Sequence, residues 1–198
     1  MLNSLLGTLS SGVPPVTSSY ESIASATGTG SSGVITFSSI PSTYKHLQIR
    51  FMAKTTLTAS AGYTPIIKLN GSSSAIYAEH FLTGDGSTAQ ASPGNSPSST
   101  SIQLWRAMAG SKASTPTMTN IMAVCIVDIL DYASTSKNKT VRYFAGLDCN
   151  FAGTESWVTL GSGLYAATTA VSSLDITTDS GGNFTTSSTF ALYGIKGA

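Results

Sequence analysis

Charged residues are scarce in this chain of 198 residues: Asp, Glu, Lys and Arg make up only 10% of it, and the net charge is +1. An average globular chain has about 25%. Because proteins bind DNA and RNA through clustered Lys and Arg side chains, this balance argues against nucleic acid as a partner. The one small basic cluster, Lys137, Lys139 and Arg142, is expected to lie in a solvated loop.

Cysteine and histidine are equally rare, with two of each. Cys125 and Cys149 lie within apolar runs, which predicts buried free thiols. A disulfide between the two cysteines remains an alternative, because it requires two Cα atoms within about 7 Å of each other and the sequence does not give that distance. The chain has no His-x-x-His or Cys-x-x-Cys pair, so we predict no metal site and no cofactor.

No catalytic pattern is recognisable among the nine acidic residues. Asp128 and Asp131 are three positions apart, and two strand residues at that spacing point to opposite faces. Asp131 is expected to cap the following turn instead. A glycosidase needs two carboxylates at a defined separation, and the Gly-x-Ser-x-Gly elbow of many hydrolases is missing. We therefore predict that the protein is not an enzyme.

Long apolar runs are also missing, because no stretch approaches the ~18 residues that a membrane span requires. No membrane partner is therefore expected. What the chain does have is 41% hydrophobic residues, 19 Gly, and Ser and Thr that together approach a third of the sequence. This composition is typical of short strands with hydroxyl-bearing outer faces and glycine-rich turns.

Strict alternation of apolar and polar residues marks the segment 46–53 as a strand. Its inward face is predicted to consist of Leu47, Ile49, Phe51 and Ala53.

Three other segments carry further predictions. Asn70-Gly71 is a strong hairpin signal, and the nearly continuous apolar run 121–133 predicts the most buried strand. Residues 84–100, with two Pro and three Gly, predict a low-complexity loop. The whole pattern gives ten or eleven strands and almost no helix. It predicts an all-β domain over 19–198, a two-sheet sandwich of the jelly-roll kind.

Residues 1–18 are predicted to form an N-terminal arm, extended or partly helical. Its leucines follow the i, i+3, i+4, i+7 spacing of one helical stripe, but so short a helix is marginal alone in water. The two prolines that follow favour an extended exit toward the β domain. The arm has apolar anchors and no core of its own, so we expect assembly contacts at Leu2, Leu5, Leu6, Leu9, Val13, Pro14 and Pro15.

Aromatic residues offer a second kind of surface. Trp105 and Tyr63 are candidates for contact with a glycan or another partner. Large aromatic side chains in strands more often belong to a core or to a subunit contact, so both interpretations stay open.

Five stretches of the β region carry a resemblance to known proteins. Together they resemble a family of small virion structural proteins encoded by tailed bacteriophages, which implies a non-enzymatic β-sandwich component of a phage particle. The stretches are SYESI (19–23), ITFSSIPSTYKHLQIR (35–50), VDILDYASTSKNKTVRYFAG (127–146), GLYAATTAVSSLDIT (163–177) and GNFTTSSTFALYGIK (182–196).

The resemblance implies two possible positions in the virion. A capsid cement (decoration) protein, expected as a homotrimer on the outer capsid surface, would clamp neighbouring major capsid subunits and stabilise the shell. The alternative is a receptor-binding module on the tail, neck or fibre that recognises host surface glycans. In either case the protein would be made in the host cytoplasm.

Overall fold

A computed structural model describes residues 19–112, 116–149 and 155–197. In this part of the chain there is one 3₁₀ turn, Pro116–Asn120, and no helix long and apolar enough to cross a membrane. The rest of the regular structure is β, in fourteen strands: β1 Tyr20–Thr27, β2 Val34–Phe37, β3 His46–Ala53, β4 Gly62–Tyr63, β5 Pro65–Leu69, β6 Tyr77–Gly84, β7 Ala89–Ser99, β8 Ile102–Gln103, β9 Met108–Ala109, β10 Ala123–Leu130, β11 Lys139–Leu147, β12 Trp157–Tyr165, β13 Leu174–Thr178 and β14 Thr189–Ile195.

The strands form antiparallel sheets that pack as a sandwich. The largest has eight strands in the order β1-β14-β3-β10-β11-β12-β6-β7, and the second has four in the order β2-β13-β5-β8. A two-stranded ladder, β4-β9, lies beside them. The prediction of an all-β, jelly-roll-like sandwich is therefore confirmed. The described strands outnumber the predicted ten or eleven, mainly because β4, β8 and β9 have only two residues each.

The main core lies between the two large sheets. The four residues predicted to face inward from β3, namely Leu47, Ile49, Phe51 and Ala53, are all buried, so this prediction is confirmed. On β14, Phe190 stacks on Phe51 with ring centroids 5.3 Å apart, and Phe184 meets it edge-on at 5.0 Å. Such aromatic contacts add about 0.5–1.5 kcal/mol each beyond the burial of area.

The two thiols lie in different parts of the interior. Cys125 belongs to the main core, whereas Cys149 belongs to a smaller cluster with Ala61, Met118 and Leu147. Both are free and buried, which confirms the prediction. Burial raises the pKa of each thiol, so neither is a reactive thiolate at neutral pH.

The predicted loop at 84–100 is wrong, because most of it is the edge strand β7. Asp85 closes the tight turn between β6 and β7 by accepting hydrogen bonds from the backbone N–H groups of Ser87 (2.9 Å) and Thr88 (2.6 Å). The pairing of β7 with β6 has two register shifts. Pro lacks an N–H group but is tolerated in an edge strand, which explains how a Pro-rich segment can still pair.

The Asn70-Gly71 signal gives the expected turn but not a hairpin. Both residues have positive φ angles, 54° and 61°, and the Ser72 N–H group donates to the Leu69 carbonyl. The strand before the turn, β5, pairs with β13 and β8, while the strand after it, β6, belongs to the eight-stranded sheet. The turn therefore passes the chain from one sheet to the other, because each strand finds partners distant in sequence.

The run 121–133 contains a strand, β10, but not the most buried one. Its residues alternate between buried and half-exposed positions, and Val124 and Ile126 are 50% and 42% exposed. The prediction fails because only one face of this sheet is covered by the second sheet. An apolar run is buried on both faces only where both are covered.

Lys139 was expected in a solvated loop and is fully buried instead. Its ammonium group donates to three backbone carbonyls: Ser134 at 2.7 Å, Lys137 at 2.6 Å and Thr168 at 3.1 Å. Burial lowers its pKa from the usual value. The side chain therefore holds the β10–β11 turn together from inside.

Asp131 begins that turn with a φ of 49°. Its carboxylate pairs with Lys45 at 3.1 Å and Lys137 at 2.8 Å, and these partners lower its pKa to about 2. Its carbonyl accepts from the Ser134 N–H group, so Asp131 has the turn-capping role predicted for it.

Residues 1–18, which contain the predicted arm contacts, lie outside the described residues.

Candidate functional site

The outer face of the eight-stranded sheet carries an unusual number of bare apolar side chains. They lie on five adjacent strands, β3, β10, β11, β12 and β6, and each is between 42% and 56% exposed. We call this set the apolar stripe, and its members are Met52, Leu82, Val124, Ile126, Phe144, Val158 and Leu160.

Strand register arranges the apolar stripe in two rows. In one row Phe144 lies opposite Ile126 on one side and Leu160 on the other, and Leu160 lies opposite Leu82. The second row, one pleat further along the strands, runs Met52, Val124, Gly146, Val158, Gly84. Two glycines interrupt this second row, so that it forms a trough rather than a ridge.

A shallow, open hollow lies at each end of the trough. A hollow of about 400 Å³ lies at the β3 end, against Met52, Val124, Ile126 and Phe144. Another of about 500 Å³ lies at the β6 end, where Gly84 and Gly146 leave space beside Val124 and Val158. The stripe can therefore receive side chains from another element and is more than a flat surface.

The third row of the same face is polar, which limits the stripe to two rows. Asp128 accepts from the Gln48 amide at 2.8 Å and from the Arg142 guanidinium at 3.0–3.1 Å. The Gln48 carbonyl in turn accepts from Arg50 Nε at 2.7 Å. The Arg50 guanidinium also lies over the rings of Tyr20 and Tyr193, at 5.1 and 5.2 Å from their centroids.

The stripe forms a sizeable exposed apolar patch. Full burial of a Val, Leu, Ile, Phe or Met side chain contributes about 1.5–3 kcal/mol at about 25 cal/mol per Å², so seven such side chains at about half exposure present on the order of 300 Å². The largest apolar patch on a typical monomer is about 300–600 Å² and often functional. The stripe lies within this range and is a candidate interaction surface.

A polar pocket of about 310 Å³ lies beside Trp157, where β12 begins. Three hydroxyl groups, an amide, two carboxylates, a guanidinium and an indole line it: Ser60, Thr83, Thr88, Gln90, Asp85, Glu155, Arg106 and Trp157. The turn between β6 and β7 forms one wall of the pocket.

Arg106 is held firmly in this pocket. Its guanidinium lies between two indoles, 4.3 Å from the Trp157 centroid and 5.4 Å from that of Trp105. Nη1 donates to the Gly62 carbonyl at 2.8 Å, whereas the buried Nε has no hydrogen-bond partner. Burial lowers the pKa of Arg106, an effect that Glu155 partly opposes. A Cβ at Gly62 would lie 2.8 Å from the Trp157 ring, so only glycine permits this stacking.

The two carboxylates of the pocket have partners of their own. Glu155 forms an ion pair with Lys112. The backbone hydrogen bonds of the β6–β7 turn lower the pKa of Asp85. Within residues 19–112, 116–149 and 155–197, no group of three or more His, Cys, Asp or Glu side chains could hold a metal ion.

Trp105 and Tyr63, the predicted glycan contacts, are both partly buried against the main core. Trp105 stacks on Phe81 with centroids 4.8 Å apart, and the Tyr63 hydroxyl accepts from the backbone N–H groups of Ala59 and Ser60. Neither residue lines the polar pocket. The indole that lines it is Trp157, and the sequence carries no signal that would bring Trp157 beside Arg106.

Comparison of the chain with models of known protein families finds no match, and comparison with curated proteins finds none either.

Proposed function

We propose that this chain is a non-enzymatic structural protein of a bacteriophage particle, and specifically a capsid cement protein. It would lie on the outer capsid surface, clamp neighbouring major capsid subunits and contact copies of itself, as a homotrimer. The observation that carries the proposal is the apolar stripe, since an apolar sheet face of this size is suited to burial against another chain.

The energetics of the stripe support a role in assembly. Covering on the order of 300 Å² at about 25 cal/mol per Å² gives a gross gain of about 8 kcal/mol for each subunit. Much of that gain is offset by the cost of association. Repetition of a modest net contact over a shell gives avidity, which is how many copies of a small protein can stabilise a large container.

The polar surroundings of the stripe favour specificity. The row Gln48, Asp128 and Arg142 presents both charge signs in a fixed hydrogen-bonded arrangement. Fixed charges at the rim of an interface select the partner and its register more than they add affinity. The low overall charge of the chain, with 10% charged residues, also weakens electrostatic repulsion between copies.

Two measurements test this proposal. Quantitative mass spectrometry of purified particles is expected to find hundreds of copies per virion, whereas a few or dozens would contradict a cement role. In the second, shells that lack the protein are mixed with the purified chain. Phe144→Ser combined with Leu160→Ser is expected to reduce binding at least tenfold. Val34→Ser, which removes a similarly exposed apolar side chain from the other sheet, is the matched control and should bind normally.

The polar pocket favours a second candidate function, that of a receptor-binding module on the tail, neck or fibre. Hydroxyl, amide and carboxylate groups around an indole can hydrogen-bond to a sugar and stack on its apolar face. Titration with neutral hexoses and N-acetylhexosamines, followed by Trp fluorescence, tests this function. Binding that Arg106→Lys abolishes would support it, because Lys retains the charge but not the planar stacking. No binding at millimolar sugar would contradict it.

A further inference from the structure

The shape of the apolar stripe restricts what can cover it. Its two rows are about 7 Å apart along the strands and extend about 20 Å across five strands. A second β-sheet would cover more rows than two and would bury the charged row of Asp128 and Arg142. A single helix, about 10 Å in diameter and 1.5 Å long per residue, matches the width of the stripe and fits within its length.

The segment before the described domain has the required composition. Leu2, Leu5, Leu6 and Leu9 have the spacing of one face of a helix, and the first charged residue of the chain is Glu21. An uncharged segment with apolar side chains on one face complements a trough flanked by valine, isoleucine and phenylalanine side chains.

The point where β1 begins shows which way this segment leaves the domain. The Ser19 carbonyl still accepts from the Lys196 N–H group, so the ladder continues to Ser19. Tyr20 pairs with Ile195, which pairs with His46, whereas the apolar rows lie at the other end of β3, level with Arg50 and Met52. Because β1 runs toward the apolar end, its first residue lies at the end of the sheet that is farther from the apolar rows.

To cover its own stripe, the segment would have to turn back across the polar row that contains Gln48 and Asp128. Pro14 and Pro15, close to the exit, instead favour extended backbone. With residues 2–9 in a helix, residues 10–18 can span up to about 30 Å, and a domain of this size is about 40 Å across. The leucines can therefore reach a neighbouring molecule that packs beside the start of β1.

We propose that the N-terminal leucines of one copy pack on the apolar stripe of a second copy. This inference rests on the proposed function, because it assumes that the protein works as an assembly of many copies. Each copy gives an arm and receives one, so the contact is heterologous, and a closed ring such as a trimer satisfies every arm and every stripe.

A mixing experiment with two full-length variants tests the exchange. The arm variant replaces Leu2, Leu5, Leu6 and Leu9 by Ser, and the stripe variant combines Phe144→Ser with Leu160→Ser. Neither set of substitutions touches the described core, and far-UV circular dichroism checks that both variants fold. Size-exclusion chromatography with light scattering then gives the mass of each variant alone, of the mixture and of the original chain.

The expected result is an oligomer for the original chain and a 20.3 kDa monomer for each variant alone. The mixture should form a complex of two chains, because the stripe variant supplies an intact arm and the arm variant an intact stripe. Val34→Ser should associate like the original chain, since Val34 is exposed but lies on the other sheet.

Three outcomes would overturn the inference. Association of the arm variant alone would show that the stripes pack on each other. Association of the stripe variant alone would show that the stripe is not the receiving surface. Two monomeric variants that do not combine would mean that the arm covers its own stripe or that a different protein does. Shell binding that depends on the stripe would preserve the proposed function in each of these cases.

Discussion

Phe144 on β11 lies directly opposite Leu160 on β12, and the two side chains are 54% and 53% exposed on the outer face of the sheet. Their neighbours on the same strands, Tyr143 and Thr159, point inward and are almost completely buried. The sheet thus has one covered apolar face and an outer face on which two apolar rows are exposed beside a polar row.

Two isoleucines on the paired strands β3 and β10 allow the two faces of the sheet to be compared, because Ile49 is buried and Ile126 is exposed. Ile49→Ala, at a fully buried position, is expected to cost about 2–5 kcal/mol of unfolding free energy. Ile126→Ala, at a position that is 42% exposed, is expected to cost less than about 1 kcal/mol in dilute protein. Urea unfolding at low concentration measures both. Equal losses would show that the outer face is covered within a single chain.

Two glycines on β11 and β12 differ in the space available to an added methyl group, because one faces inward and the other outward. A Cβ at Gly161 would lie 2.2 Å from the Tyr143 ring, whereas one at Gly146 would meet only Val124 at 3.8 Å. Gly161→Ala should therefore cost about 1–3 kcal/mol through overpacking, and Gly146→Ala should be close to neutral in the monomer. Thermal unfolding of both variants checks this difference. A neutral Gly161→Ala would contradict the packing of Tyr143 against β12.

Alkaline pH should weaken the fold through Tyr77. Its hydroxyl accepts from the Leu69 N–H group at 3.0 Å, and burial raises its pKa to about 12. An unfolded Tyr loses its proton near pH 10, so the folded state binds more protons between pH 10 and 12. Stability therefore falls as the pH rises through this window, by up to about 1.4 kcal/mol per pH unit for one proton.

Urea midpoints from pH 9 to 11.5 measure this dependence, with Tyr77→Phe as the comparison. The variant is expected to be less stable at neutral pH, because the buried Leu69 backbone groups lose their partner. Its stability should also fall less steeply above pH 10. Parallel slopes for the two proteins would rule out Tyr77 as a source of the pH dependence.

The buried lysine provides a test of the β10–β11 turn. Lys139→Met removes the donor shared by three backbone carbonyls, and each acceptor left unsatisfied costs about 1–3 kcal/mol. We expect a loss of about 3 kcal/mol in chemical unfolding. Lys137→Met, at an exposed position nearby that pairs only with Asp131, should cost under about 1 kcal/mol. Similar losses for both variants would mean that the hydrogen bonds from the Lys139 ammonium group to the three carbonyls contribute little to the free energy of unfolding.

Local sequence pattern was a good guide wherever a residue's environment depends on its own strand. The alternation over 46–53 correctly gave the inward face of β3, and the apolar runs around Cys125 and Cys149 correctly gave two buried thiols. Side chains alternate between faces with a period of two in any strand. The fold class follows from the same periodicity, repeated along the chain.

Pattern failed where the outcome depends on partners distant in sequence. Residues 84–100 look like a loop by composition, yet 89–99 pair with β6 as an edge strand. The charge of Lys139 favours solvent, yet the side chain is buried and its ammonium group donates to the carbonyl of Thr168, which is 29 positions away in the sequence. Arg106 meets Trp157 across 51 positions of sequence. In each case the contacting residue lies too far away in the sequence to be predicted from the pattern of neighbouring residues.

The sequence by itself determined that this chain is all-β, because alternating apolar residues and glycine-rich turns bury the 41% hydrophobic residues through strands. Only the tertiary structure decided which apolar residues stay bare. Val124 and Cys125 are adjacent apolar residues in one run, but Cys125 faces the second sheet and Val124 faces outward. The second face of a strand is buried only where another layer covers it, and the strand's own sequence does not show whether such a layer is present.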